Sequence, residues 1–173
     1  MWDEHEVEVW TPTRSEYETF PLHYDNTVCA ALYTGEEPWD KVVEQTVEDD
    51  YFPREYVEQY VQAVGTVTYF DVKDEQMGEA ALIQPECVYV YDLRMTPGAA
   101  HPDPERLVNR MMIPNSIAGL KNELRKGAFK DDCALVFIDF IIRHGFLNPR
   151  DEPEYIEIVS RLHRRLEFPT RQH

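Results

Sequence analysis

The stretch Asp131-Asp132-Cys133-Ala134-Leu135-Val136-Phe137-Ile138-Asp139-Phe140-Ile141-Ile142-Arg143-His144-Gly145 decides how the chain is read. From Cys133 to Ile142 it is apolar except at Asp139, the densest such run in the sequence. Its two ends carry helix-terminus chemistry. Asp131 or Asp132 can accept hydrogen bonds from free first-turn N–H groups, Arg143 and His144 fall where the dipole favours cations, and Gly145 suits the left-handed residue just past a helix end. A buried strand competes, because Val136, Ile138, Ile141 and Ile142 are β-branched, but the caps and the length favour a helix. Apolar residues on nearly every face predict a central helix over 132–144 that is surrounded by protein.

Upstream, the pattern mixes strands and helices. Glu4 to Trp10 alternates polar with apolar residues as a half-buried strand does, and Thr11-Pro12-Thr13 breaks it. Thr27 to Tyr33 reads as a second strand, ended by Thr34-Gly35. Pro38 opens a helix with a stripe of Trp39, Val42, Val43, Thr46 and Val47; Val57, Tyr60, Val61 and Val64 form the stripe of the next, before Gly65. Thr66–Val72, Ala80–Ile83 and Cys87–Leu93 are short, rich in Val, Tyr, Phe and Thr, and spaced as a meander.

Downstream, the spacing is helical throughout. Asp103-Pro104 leads into Leu107, Val108, Met111 and Met112. Asn115 or Ser116 starts a helix that Gly127 follows, and an Asp151/Glu154 capping box opens the last one. The fold class is therefore α+β: a small antiparallel sheet, made of N-terminal strands plus the 66–95 meander, packed against a mainly helical C-terminal half. One domain is expected over 1–173, with an acidic, strand-rich part at 1–95 and a helical part at 103–168.

Composition narrows the function classes. The hydrophobic fraction is 43% and the aromatics number eight Phe, ten Tyr and three Trp, which excludes a disordered chain. No apolar run reaches the ~18 residues needed to cross a bilayer, and the acidic N-terminus is unlike a signal peptide. The three cysteines, Cys29, Cys87 and Cys133, are far apart in apolar segments. They fit reduced core residues and a cytoplasmic or nuclear protein that is not secreted.

Motifs for chemistry are scarce. The six histidines form no His-x-His or His-Glu-x-x-His pattern and the cysteines no Cys-x-x-Cys, so no metal site is expected. The segment Asp71 to Glu79 has a calcium-loop flavour, but Lys73 stands where an oxygen ligand belongs. No phosphate-binding glycine loop and no Gly-x-Ser-x-Gly elbow occur, so neither a cofactor nor a catalytic residue is assigned. A nuclease reading of Pro102-Asp103 with Glu123 to Lys126 fails, because those carboxylates fall on helices. Asp139 is expected to pair with Arg143 one helical turn later, and His144 to serve the helix dipole. Arg161, His163, Arg164, Arg165 and Arg171 form the cationic cluster, but a body of net charge −16 disfavours direct nucleic-acid binding.

The charge is also segregated. Residues 1–60 hold sixteen Asp/Glu against Arg14, Lys41 and Arg54. Interleaved with these acids are Trp2, Trp10, Tyr17, Phe20, Tyr24, Tyr33, Trp39, Tyr51, Phe52 and Tyr56. Such a face suits capture of a basic protein, with aromatics supplying contact energy and charge setting partner choice. The expected function is a non-enzymatic binding or inhibitory protein, of the DNA-mimic, immunity or phage-antagonist kind. Its partner face would use Asp3, Glu4, Glu6, Glu8, Glu16, Glu18, Glu36, Glu37, Glu48, Asp49 and Asp50. The alternatives are a small hydrolase using His5, His23 or His101 with dispersed carboxylates, and an obligate subunit or homodimer joined through Met111-Met112 and the C-terminal helices.

Overall fold

The computed structural model describes residues 6–48, 52–72, 82–95 and 112–167. In chain order the elements are β1 (Glu8–Pro12), α1 (Pro38–Glu48), α2 (Arg54–Tyr60), β2 (Val61–Val72), β3 (Ile83–Leu93), β4 (Met112–Ser116), α3 (Ile117–Arg125), α4 (Asp131–Arg143) and α5 (Tyr155–Leu162). Among the described residues two antiparallel pairs form, β1 with β4 and β2 with β3. The class is α+β.

The central helix is where the pattern put it. α4 buries Cys133, Phe137, Asp139 and Ile141, and no residue from Asp132 to His144 is exposed. It divides the interior rather than facing one core. On one side Phe137 and Ile141 join Ile117, Leu120, Phe129 and Phe146. On the other, Leu135, Val136, Ile138 and Ile142 lean on Val67, Tyr69, Val90 and Leu162. A third cluster, Val43, Phe52, Val57 and Val61, holds α1 and α2 to the start of β2. Gly145 closes α4 at φ 76°, the left-handed geometry that only glycine adopts without cost.

Several expectations are corrected. Thr27 to Tyr33 is irregular chain, with Tyr33 exposed and its N–H given to Glu36 Oε2 at the turn before α1. β1 continues through Pro12 instead of breaking at Thr11, because Thr11 and Pro12 lie opposite Ile113 and Met112. Met112 therefore begins a strand, not the end of a helix, so the C-terminal half is not wholly helical. The Leu107–Met111 part of that expected helix lies outside the described residues, as do Ala80 and Ala81. Ile83, expected in a middle strand, instead begins β3, which runs unbroken through Gln84-Pro85-Glu86, so the described part of the expected meander is the two-stranded β2–β3 pair. Val61 and Val64 belong to β2 rather than α2: once Val61 can pair with Leu93, β-branched residues gain more from the ladder than from another helical turn. Gly65, at φ 140°, sits at the bulge where the register shifts past Ala63. The capping box fails too. Asp151 takes the Asn148 side-chain amide in a local turn, and α5 starts only at Tyr155.

Candidate functional site

Among the described residues, four charged or titratable side chains gather in a partly buried cluster where the end of β3 meets the last turn of α4. Asp139 is 7% exposed yet sits in an apolar helix, so it needs a counter-charge. Arg143 supplies one: its Nε donates to Asp139 Oδ2 at 2.5 Å. The same guanidinium turns its other nitrogens toward β3, donating to Asp92 Oδ2 at 2.9 Å and to Oδ1 at 3.1 Å. His144 Nε2 also lies 3.0 Å from Asp92 Oδ2. Burial on its own raises the Asp92 carboxyl, but hydrogen bonds and charge from Arg143 and His144 outweigh it and hold the group below the usual carboxylate range. Arg143 in turn holds its proton more tightly than a free guanidinium, the two carboxylates outweighing burial. The His144 ring packs 4.4 Å from that of Phe140 and 6.1 Å from that of Phe146.

Chemically, this is a carboxylate-oriented imidazole held beside a fixed cation. A pair of that kind can exchange a proton with a substrate. The helical pairing of Asp139 with Arg143 follows from the sequence, whereas the role of Asp92 does not. His144 does more than serve the helix dipole. Asp92 had one signal, a lone acid closing the apolar run Val88-Tyr89-Val90-Tyr91.

A second node joins the N-terminal loop to α4. Asp25, 4% exposed, accepts from Arg14 Nη1 at 2.5 Å, from the Asn26 N–H at 2.8 Å and from Cys133 Sγ at 2.9 Å. Burial, followed by the hydrogen bond to Asp25, pushes the Cys133 thiol far above its ordinary range, which makes it a poor nucleophile.

The described acids expected for a partner face lie just before β1 and on it, on α1 and in the loops between them. Asp3, Glu4, Asp49 and Asp50 lie outside the described residues. Glu8 stands on β1 opposite Ser116, and Glu48 ends α1. Glu18 accepts from the Ser15 N–H at 2.8 Å and pairs with Arg14, while Glu36 takes the Tyr33 N–H at 2.8 Å and pairs with Lys41. Glu6, Glu16 and Glu37 are exposed. Of the histidines weighed for a dispersed site, His5 and His101 lie outside the described residues, and His23 Nδ1 stands 3.1 Å from the Pro21 carbonyl. Among the described residues no three His, Cys, Asp or Glu side chains converge as a metal site would require. Among those residues, too, no helix is long and apolar enough to cross a membrane.

Comparison with known proteins redirects the functional reading. No protein-family model matches the chain. Over 170 residues, 95% of this chain, it is 35% identical to an uncharacterized protein of Saccharomyces cerevisiae, covering 49% of that protein. Two Arabidopsis thaliana proteins match at lower identity. Nudix hydrolase 24, chloroplastic, is 28% identical over 89% of this chain, and Nudix hydrolase 20, chloroplastic, 27% identical over 91%; the match covers 40% of each plant protein. The chain thus spans half or less of the length of the curated relatives it matches. The relatives that carry a functional name are hydrolases. That overturns the expectation of a non-enzymatic inhibitor, which rested on net charge.

Proposed function

We propose that this chain works in hydrolysis, as a folded module of a hydrolase akin to the plant Nudix hydrolases. The observation that carries this is the shape of the matches. They run through 89–95% of this chain but only 40–49% of each relative, so the likeness is to one part of a longer protein, which in the two named relatives is a Nudix hydrolase. The two cores joined by α4, with a third that ties α1 and α2 to β2, support a unit that keeps its shape on its own. Cys87 and Cys133 carry free thiols, which suits work in a reducing compartment.

The test is a hydrolysis assay of three proteins: this chain, the full-length yeast relative, and that relative with its matching half replaced by this chain. Turnover by the exchanged protein comparable to the yeast protein's supports the proposal. An exchanged protein that folds and turns over nothing sinks it. Turnover by this chain alone, abolished in His144→Gln, would instead place the chemistry on the Asp92–His144 pair.

A further inference from the structure

β2 and β3 form a long hairpin with two unlike faces. One face packs inward: Val67, Tyr69 and Val90 are buried against α4 and Leu162 of α5. That same inward side also carries the hairpin's charges away from its buried end. Asp71 stands opposite Gln84, and Tyr69 donates to Glu86 Oε2 at 2.6 Å. The other face is made of four cross-strand pairs, Thr66–Tyr89, Thr68–Cys87, Phe70–Pro85 and Val72–Ile83. None of these eight residues is charged, in a chain with thirty-three acids and seventeen Lys and Arg.

This inverts the ordinary alternation of a half-buried hairpin, in which the polar residues face water. Ile83 is 66% exposed, Val72 62%, Tyr89 42% and Phe70 41%. Single exposed apolar residues are unremarkable, but a contiguous uncharged strip on an acidic protein marks an interaction surface. Among the described residues, the chain's own C-terminal part meets this face at Thr68, where Arg164 N–H donates to the Thr68 carbonyl and Thr68 Oγ1 to the Arg164 carbonyl.

We infer that the outer face of the β2–β3 hairpin is where the remaining part of the hydrolase docks, through an apolar and uncharged surface of its own. The inference rests on the functional proposal above, because the relatives carry at least as much chain again beyond the matched part. A basic occupant has nothing to pair with on this face. An apolar one regains the hydrophobic free energy that Phe70, Val72, Ile83 and Tyr89 forgo in water.

Cys87 reports on this face directly, since it is exposed in the free chain and lies opposite Thr68. The experiment measures maleimide labelling of Cys87 relative to exposed Cys29, in this chain and in the yeast relative carrying this chain in place of its matching half. The relative rate is expected to fall by about tenfold or more in the longer protein, as a thiol enters a water-excluding interface core. Ile83→Asp is expected to restore it. An unchanged rate overturns the inference. So does Cys87 protection in the chain alone accompanied by a dimer in light scattering, because a second copy would then be the occupant. If the exchanged protein does not fold, the chain and the remaining yeast segment are co-expressed and labelled in the same way. Protection without hydrolysis overturns the functional proposal and leaves the docking face standing; hydrolysis with a freely reacting Cys87 overturns the docking face alone.

Discussion

Arg143 and Asp92 lie fifty-one residues apart in sequence and meet through two hydrogen bonds, 2.9 and 3.1 Å, that use both carboxylate oxygens. The two-pronged geometry gives orientation as well as charge, and it pins the end of β3 to the last turn of α4. With Nε on Asp139, a single guanidinium holds two carboxylates that would otherwise face each other in a partly buried site.

Removing that cation should therefore cost far more than a surface ion pair. Arg143→Met keeps much of the packing but strands Asp92 and Asp139, at an expected cost of about 3–5 kcal/mol. Urea unfolding measures it. A loss below about 1 kcal/mol is the size found for solvent-screened pairs, and would mean that the cluster is no more than that.

The depressed Asp92 carboxyl fixes a direction for pH. A group whose folded pKa lies below its unfolded value, ~3.9 for aspartate, stabilises the fold above that value and loses its contribution as pH falls through the folded pKa. Stability should decline from about pH 4 downward. Asp92→Asn should flatten that acid limb while lowering stability at neutral pH. Arg143 is shifted the other way, so its contribution is complete throughout the acidic and neutral range and is lost only at strongly alkaline pH. Melting temperatures between pH 3 and pH 7 check this, and equal acid limbs for the two proteins would remove Asp92 from the account.

Burial ranks the three thiols. Cys29 and Cys87 are exposed, whereas Cys133 is buried and donates to Asp25. In the native chain a thiol reagent should label two cysteines quickly, and Cys133 only as the fold opens. Asp25→Ala removes the partner of both Arg14 and Cys133 and should speed that third labelling step. Three equal rates would show that the Asp25 node does not hold the N-terminal loop on α4.

What could be read from the sequence follows the range of the interactions. α4, its glycine stop and the Asp139–Arg143 pair are set within a few residues, and the 3.6-residue period reports them. β4 is set by its partner. Met112-Ile113-Pro114-Asn115-Ser116 has little strand character, and it is extended because β1 lies opposite it. Thr27 to Tyr33 has the composition of a strand but no ladder partner among the described residues, and Leu32 stays partly exposed. Asp92 was invisible for the same reason: a contact across fifty-one residues leaves no local pattern. Function misled most. Net charge speaks to solubility and association rather than to a specific function.

Phe137 gives the sharpest test of α4 as the shared wall of two cores. Its ring is 7% exposed and packs 5.0 Å from that of Phe129, beside Ile117, Leu120 and Ile141. Phe137→Ala leaves a cavity bounded by α3, α4 and the Phe129 loop, which belong to separate elements and cannot all close on it. The expected loss is about 3–5 kcal/mol. Phe137→Leu keeps most of the volume and should cost less than about 1.5 kcal/mol. Denaturant unfolding of the two variants separates volume from ring contacts. Equal losses would assign the stability to the aromatic contact with Phe129, and no loss in either would mean that α4 is not the core helix its sequence describes.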